Sequence, residues 1–101
     1  MSPCFILSSL AAEDLDAILA YVLEHSGPAR ARHVADRLEA AFVKLAERPG
    51  MGHTREDLTS ASVRFWPVWS YLIVYKPDSK PLEVVRVLHG ARDLSTILGS
   101  E

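Results

Sequence analysis

Cysteine is nearly absent from this chain: Cys4 stands alone among 101 residues. One thiol excludes an intramolecular disulfide and any cysteine-built zinc site, and it points to a reducing compartment. Cys4 itself reads as a small buried hydrophobe on a strand. Positive charge is not in excess. Lysine and arginine total 11 against 13 aspartates and glutamates, a formal net charge of −2. Phosphate neutralisation supplies most non-specific affinity for nucleic acid, so this balance argues against sequence-specific DNA or RNA binding by the chain alone. Long apolar runs are also missing. The longest, Ala17 to Leu23, is far too short to span a bilayer, and no membrane partner is expected. No secretory pattern appears: Glu13, Asp14 and Asp16 interrupt the early apolar residues, and the first lysine or arginine is Arg30. The expected location is cytoplasmic. A nucleotide-binding glycine loop is absent, because Gly50-Met51-Gly52 follows a helix rather than a strand. The histidines at 25, 33, 53 and 89 lack metal-ligand spacing, so no metal and no cofactor are expected.

What is present suits one small domain over residues 1–101. Hydrophobic residues make up 49% and charged residues 24%, a globular mixture. A chain of this size buries roughly 60–70% of the surface it exposes when unfolded. That leaves little room for a deep small-molecule pocket, which needs on the order of 300–1,000 Å³. Docking onto a larger macromolecule is the better expectation.

Cys4 to Leu7 is short and rich in strand formers. Ser8 or Ser9 then offers a hydroxyl to cap the free amides of a helix. Glu13, Asp14 and Asp16 suit the positive end of that helix. Leu15, Ile18, Leu19 and Val22 recur at helical spacing and predict a helix over about 10–25. Ser26-Gly27-Pro28 breaks it, with Gly27 free to take a left-handed conformation and Pro28 suited to a new first turn. Val34, Leu38, Ala41, Phe42 and Leu45 mark a second apolar face, ending near Arg48 before Pro49. So short a connection requires an antiparallel helical hairpin. Residues 50–61 carry no apolar period and read as a long loop. Ser62–Trp66, Ser70–Lys76 and Leu82–His89 read as three strands, with turns at Pro67-Val68 and Pro77-Asp78-Ser79. Arg92 to Leu98 predicts a last helical turn or two. The order β-α-α-β-β-β implies an α+β fold, with the hairpin on one face of a small, mostly antiparallel sheet. The opposite face, with the loops at its rim, is left for contacts.

One set of residues carries candidate chemistry. Arg64, Tyr75, Arg86, His89 and Arg92 fall on or just after the later strands. A guanidinium fork matches phosphate oxygens, and a histidine beside it can move a proton. Such a set suits RNA cleavage by a 2′-hydroxyl, which needs a base, an acid and a cation for the developing charge. The structural alternative is that Arg86 pairs with Glu83 or an acid of the loop, and that His89 caps a strand end. Trp66 and Trp69 flank the first hairpin turn. Tryptophan is enriched at binding hot spots, and one of the pair is expected to face outward.

Arg48 to Leu58, Val63-Arg64, Tyr71 to Tyr75 and Val85 to Leu94 together resemble the ParE/RelE toxin family of bacterial type II toxin–antitoxin systems. Arg86-Val87-Leu88-His89-Gly90-Ala91-Arg92-Asp93 is the most specific part. Ala11 or Ala12, Asp14-Leu15, Ile18 and Tyr21 fit as well. The resemblance covers nearly the whole chain and implies a helical hairpin on a small antiparallel sheet. It also implies a toxin that arrests growth, and a cognate antitoxin that wraps an extended, partly helical segment over it. RelE-type members cleave mRNA on the ribosome; ParE-type members bind DNA gyrase and need no catalytic centre. The loop here has no lysine and carries Glu56 and Asp57, and no tyrosine follows His89 within Gly90 to Leu94. The resemblance is therefore to the ParE branch, with gyrase as target and no confident catalytic residue. On the nuclease alternative the catalytic residues are Arg64, Arg86 and His89. The partner-binding residues implied are Arg55, Trp66, Trp69, Arg92 and Asp93.

Overall fold

Ser8 organises the start of the fold. The computed structural model describes residues 4–54 and 62–89. In it, strand β1 covers Phe5–Leu7 and helix α1 covers Ser9–Ser26. The Ser8 side chain accepts from the Ala11 amide at 3.0 Å and caps the helix. The same hydroxyl donates to the Val85 carbonyl at 2.6 Å. Glu13, Asp14 and Asp16 lie beyond the first turn, so they do not serve the helix end as their position near Ser9 suggests. At the other end the Gly27 amide closes α1 on the Leu23 carbonyl. Gly27 takes φ 88°, a value that suits glycine because it has no Cβ. Pro28 opens α2, Pro28–Glu47, where its missing amide costs nothing.

The sheet follows as β2 (Arg64–Val68), β3 (Tyr71–Lys76) and β4 (Leu82–Leu88). Its order is β1-β4-β3-β2, with β1 parallel to β4 and the other pairings antiparallel. This is the expected α+β arrangement. Alternation assigns the side chains to faces. Ile73, Tyr75, Val68, Leu82, Val84 and Val87 join Val34, Leu38, Phe42 and Leu45 of α2 and Ala11 and Val22 of α1 in one core. Burying a side chain such as Leu38, Phe42 or Leu45 contributes about 1.5–3 kcal/mol each.

The opposite face is not bare, contrary to expectation. Phe65, Val74 and Leu88 are at most 6% exposed and form a second cluster with Val63 and Leu72. These strands carry apolar residues on both faces, and such strands are stable only when both faces are buried.

The first hairpin turn is shifted from the predicted place. Pro67 and Val68 lie within β2, paired with Leu72 and Tyr71, and the turn is Trp69-Ser70. Proline is tolerated there because β2 is an edge strand. Trp69 has φ 54° and is the first central residue of the turn. Hairpins of this kind normally place glycine at that position. Cys4 is exposed and precedes β1, so it is not the buried strand residue expected. Its carbonyl accepts from the Leu82 amide at 3.2 Å, which makes it an anchor through its backbone only. The predicted last helical turn at 92–98 lies outside the described residues.

Candidate functional site

The stretch after α2 is more ordered than its composition suggests. Pro49–Met51 form one 3₁₀ turn, and His53 pairs with Phe65 as an extra antiparallel bridge. Tyr75 holds this turn from below. Its hydroxyl donates to the Pro49 carbonyl at 2.6 Å and accepts from the Gly52 amide at 2.8 Å. Gly52 must be glycine for this contact: a Cβ there would overlap the Tyr75 hydroxyl and lie 2.8 Å from its ring. Burial pushes the Tyr75 phenol above its usual value; the Gly52 hydrogen bond and the Arg64 charge oppose that shift. Arg64 adds a second tie, donating from Nη1 to the Gly52 carbonyl at 2.8 Å.

Arg86 is engaged elsewhere. Its Nε and Nη2 donate to the two carboxylate oxygens of Asp14 at 2.7 and 3.0 Å. The same carboxylate accepts from the Val87 amide at 3.0 Å. An acid on α1 thus partners Arg86, while Glu83 pairs with Lys76 at 3.6 Å. The geometry explains the choice. β1 pairs with β4 only from Leu82 to Val84. Beyond that point β4 has a free edge, and Ser8 and Asp14 satisfy its Val85 carbonyl and Val87 amide. A register shift between Val74 and Tyr75 sets Val74 opposite Arg86 and Tyr75 opposite Val84. Val85 is therefore the extra residue of a bulge.

The proposed nuclease set is not gathered at one point. Arg64 pairs with Tyr75 at one end of β3, whereas the His89 ring lies 5.3 Å from the ring of Tyr71 at the other end. Four residues of strand separate those ends, about 13 Å. Arg86 is on β4, with β3 between it and Arg64. Among the described residues, no three of histidine, cysteine, aspartate and glutamate converge to hold a metal ion.

The candidate contact residues separate in the same way. Trp66 packs partly on the helix-facing core and stacks against His53 at 6.2 Å. Trp69 is 47% exposed, so it is the outward member of the pair. Arg30 and Arg37 of α2 stand 5.3 and 5.5 Å from its ring centre, and the His33 ring lies at 5.4 Å. Composition and motif reading did not single out these three α2 residues. A signal was available: Arg30, Arg37 and Lys44 repeat every seventh position, which places them on one stripe of the helix. Arg55, Arg92 and Asp93 lie outside the described residues. No helix among the described residues is long and apolar enough to cross a membrane.

Comparison with known proteins bears on the family and the fold. Toxin ParE1 of Caulobacter vibrioides is 34% identical over 93 residues, covering 92% of this chain and 95% of that protein. Toxin ParE3 of the same organism is 28% identical over 88 residues, 87% of each. A chain from the solved chromosomal ParDE toxin–antitoxin system of P. aeruginosa superimposes with a TM-score of 0.69. It covers 85% of this chain and 94% of its own length at 20% identity, and so supports the fold. The family model for the ParE toxin of the type II toxin-antitoxin system parDE matches residues 5–94. With the Ser8–Asp14 edge, the Tyr75 tie and all described strands inside that match, the chain belongs to the ParE toxin family of type II toxin–antitoxin systems.

Proposed function

We propose that the chain is a cytoplasmic toxin acting as one domain, that it inhibits DNA gyrase by direct binding, and that a cognate antitoxin neutralises it. The observation that carries the non-catalytic part is the engagement of the arginines. Arg64 ties the Gly52 carbonyl and Arg86 ties Asp14, while His89 stands at the other end of β3 from Arg64. General acid–base cleavage needs its groups within hydrogen-bond reach of one reacting site. A toxin that acts by occupying its target needs no such convergence. Trp66 and Trp69, with Arg55, Arg92 and Asp93 from the segments beyond the described residues, are the proposed contact residues.

Induction of the chain alone in a bacterial host, with DNA and protein synthesis followed by pulse labelling, tests this reading. DNA synthesis should fall first while protein synthesis continues. Arrest of protein synthesis first would overturn the gyrase reading in favour of ribosome-dependent mRNA cleavage. Arg64, Arg86 and His89 would then have to act as an active site.

A further inference from the structure

Two stretches of free strand edge, one on β4 beyond β1 and one on β2, are closed to an incoming strand. On the β1 side, Ser8 and Asp14 occupy the free groups of β4. On the β2 side, Phe65 exchanges both backbone hydrogen bonds with His53, at 2.7 and 2.8 Å. In an antiparallel ladder the next outward-facing residue is two positions on, at Pro67, which has no amide hydrogen. A partner cannot extend this sheet at β2 in the way edge-strand binders do. It must dock through side chains.

The surface beside that edge is suited to such docking. A groove of about 280 Å³ runs between α2 and the end of β2, lined by Arg37, Ala40, Ala41 and Lys44 on one side and by Trp66 to Trp69 on the other. Its floor is small and apolar, so a helix can approach closely over Ala40 and Ala41. Its rim is cationic. Arg30 and Arg37 share the ring of Trp69, and Lys44 continues the same stripe. The ion pairs formed among the described residues, Lys76–Glu83 and Asp14–Arg86, use none of these cations. Like charges held around one ring repel, and an incoming carboxylate relieves that repulsion. Trp69 is presented here at φ 54°, a conformation that is uncommon for a bulky residue. Exposed aromatic and arginine side chains at the centre of a recess are the usual anchors of protein interfaces.

We propose that this groove is the docking site for an acidic amphipathic helix of the antitoxin. Its carboxylates would meet Arg30, Arg37 and Lys44, and an apolar side chain would enter over Ala40 beside Trp69. The proposal rests on the toxin–antitoxin reading above. The test titrates the full-length cognate antitoxin, purified separately, against the wild-type chain and the variants Arg37→Glu, Ala40→Glu and Trp69→Ala. Arg32→Glu, the same charge change on another face of α2, is the control. Circular dichroism melts establish that each variant is folded, and toxicity is measured in parallel.

Each groove variant should bind roughly 30-fold more weakly or worse, the loss expected of a binding hot spot, while Arg32→Glu binds as wild type. Wild-type affinity should also fall with added salt more steeply than that of Arg37→Glu. Toxicity should persist in Arg37→Glu and Ala40→Glu and resist rescue by antitoxin. Wild-type affinity in folded groove variants would overturn the proposal. So would lost toxicity with unchanged antitoxin binding, which would assign the groove to the target. No binding of antitoxin to the wild-type chain would instead overturn the toxin–antitoxin reading on which the proposal depends.

Discussion

Two parts of the molecule treat their polar side chains in opposite ways. At the Pro49–Gly52 turn and along the free edge of β4, every named group has a short, directed partner: Tyr75 with Pro49 and Gly52, Arg64 with Gly52, Asp14 with Arg86 and Val87. At the Trp69 turn, two guanidiniums and an imidazole surround a half-exposed indole on an unusual backbone conformation. The first part uses charge and hydrogen bonding to hold the fold. The second leaves them facing solvent. Substitutions in the first should therefore act on stability, and substitutions in the second on binding.

Asp14→Ala should have the largest effect on stability. It removes two charge-assisted hydrogen bonds to a guanidinium and the acceptor of the Val87 amide. Charged hydrogen bonds contribute about 1.5–3 kcal/mol each when buried, and the Arg86 side chain is a third exposed, so a total loss of about 2–3 kcal/mol is expected. For a domain of this size that lowers the melting temperature by roughly 10–20 °C. A melt within a degree or two of wild type would mean that the clamp does not hold α1 to β4.

Tyr75→Phe comes next, at about 1–2 kcal/mol, because it leaves the Gly52 amide and Pro49 carbonyl without their partner. It also has a pH signature. Folding raises the phenol above its ordinary value of 10.0, so the folded state holds that proton more tightly than the unfolded state. This contribution is fully present below pH 10.0, and is lost as pH rises from there through the folded value. Stability measured by denaturant titration should decline above pH 10.0 in the wild type, and that component should vanish in Tyr75→Phe. An identical alkaline decline in both proteins would separate Tyr75 from it.

Trp69→Gly should change stability least. Relief of a positive φ offsets the lost contact of the indole with two arginines, each worth about 0.5–1 kcal/mol at an exposed site. The net change should stay within about 1 kcal/mol. A thermal melt that drops as far as that of Asp14→Ala would erase the distinction between the two regions.

The elements were legible where one local rule governed them. Leu15, Ile18, Leu19 and Val22 show the period of α1, and Gly27-Pro28 marks the break before α2. Pro67 is a turn former by composition, so local sequence points to a turn where β2 continues. Only the sheet order reveals that it stands on an edge strand, where its missing amide is harmless. The partner of Arg86 was hidden for a similar reason. Asp14 lies 72 residues away, and they meet because β1 is too short to cover β4. The Trp69 cluster was half visible. The seven-residue repeat of Arg30, Arg37 and Lys44 is in the sequence, but its meeting with a hairpin turn depends on how α2 crosses the sheet. No local pattern carries that crossing.

The most direct test of the function is a supercoiling assay with purified DNA gyrase and the purified chain. Inhibition that rises with toxin concentration and is relieved by the antitoxin is the predicted result. Unimpaired supercoiling at saturating toxin, together with mRNA cleavage on added ribosomes, would contradict the account.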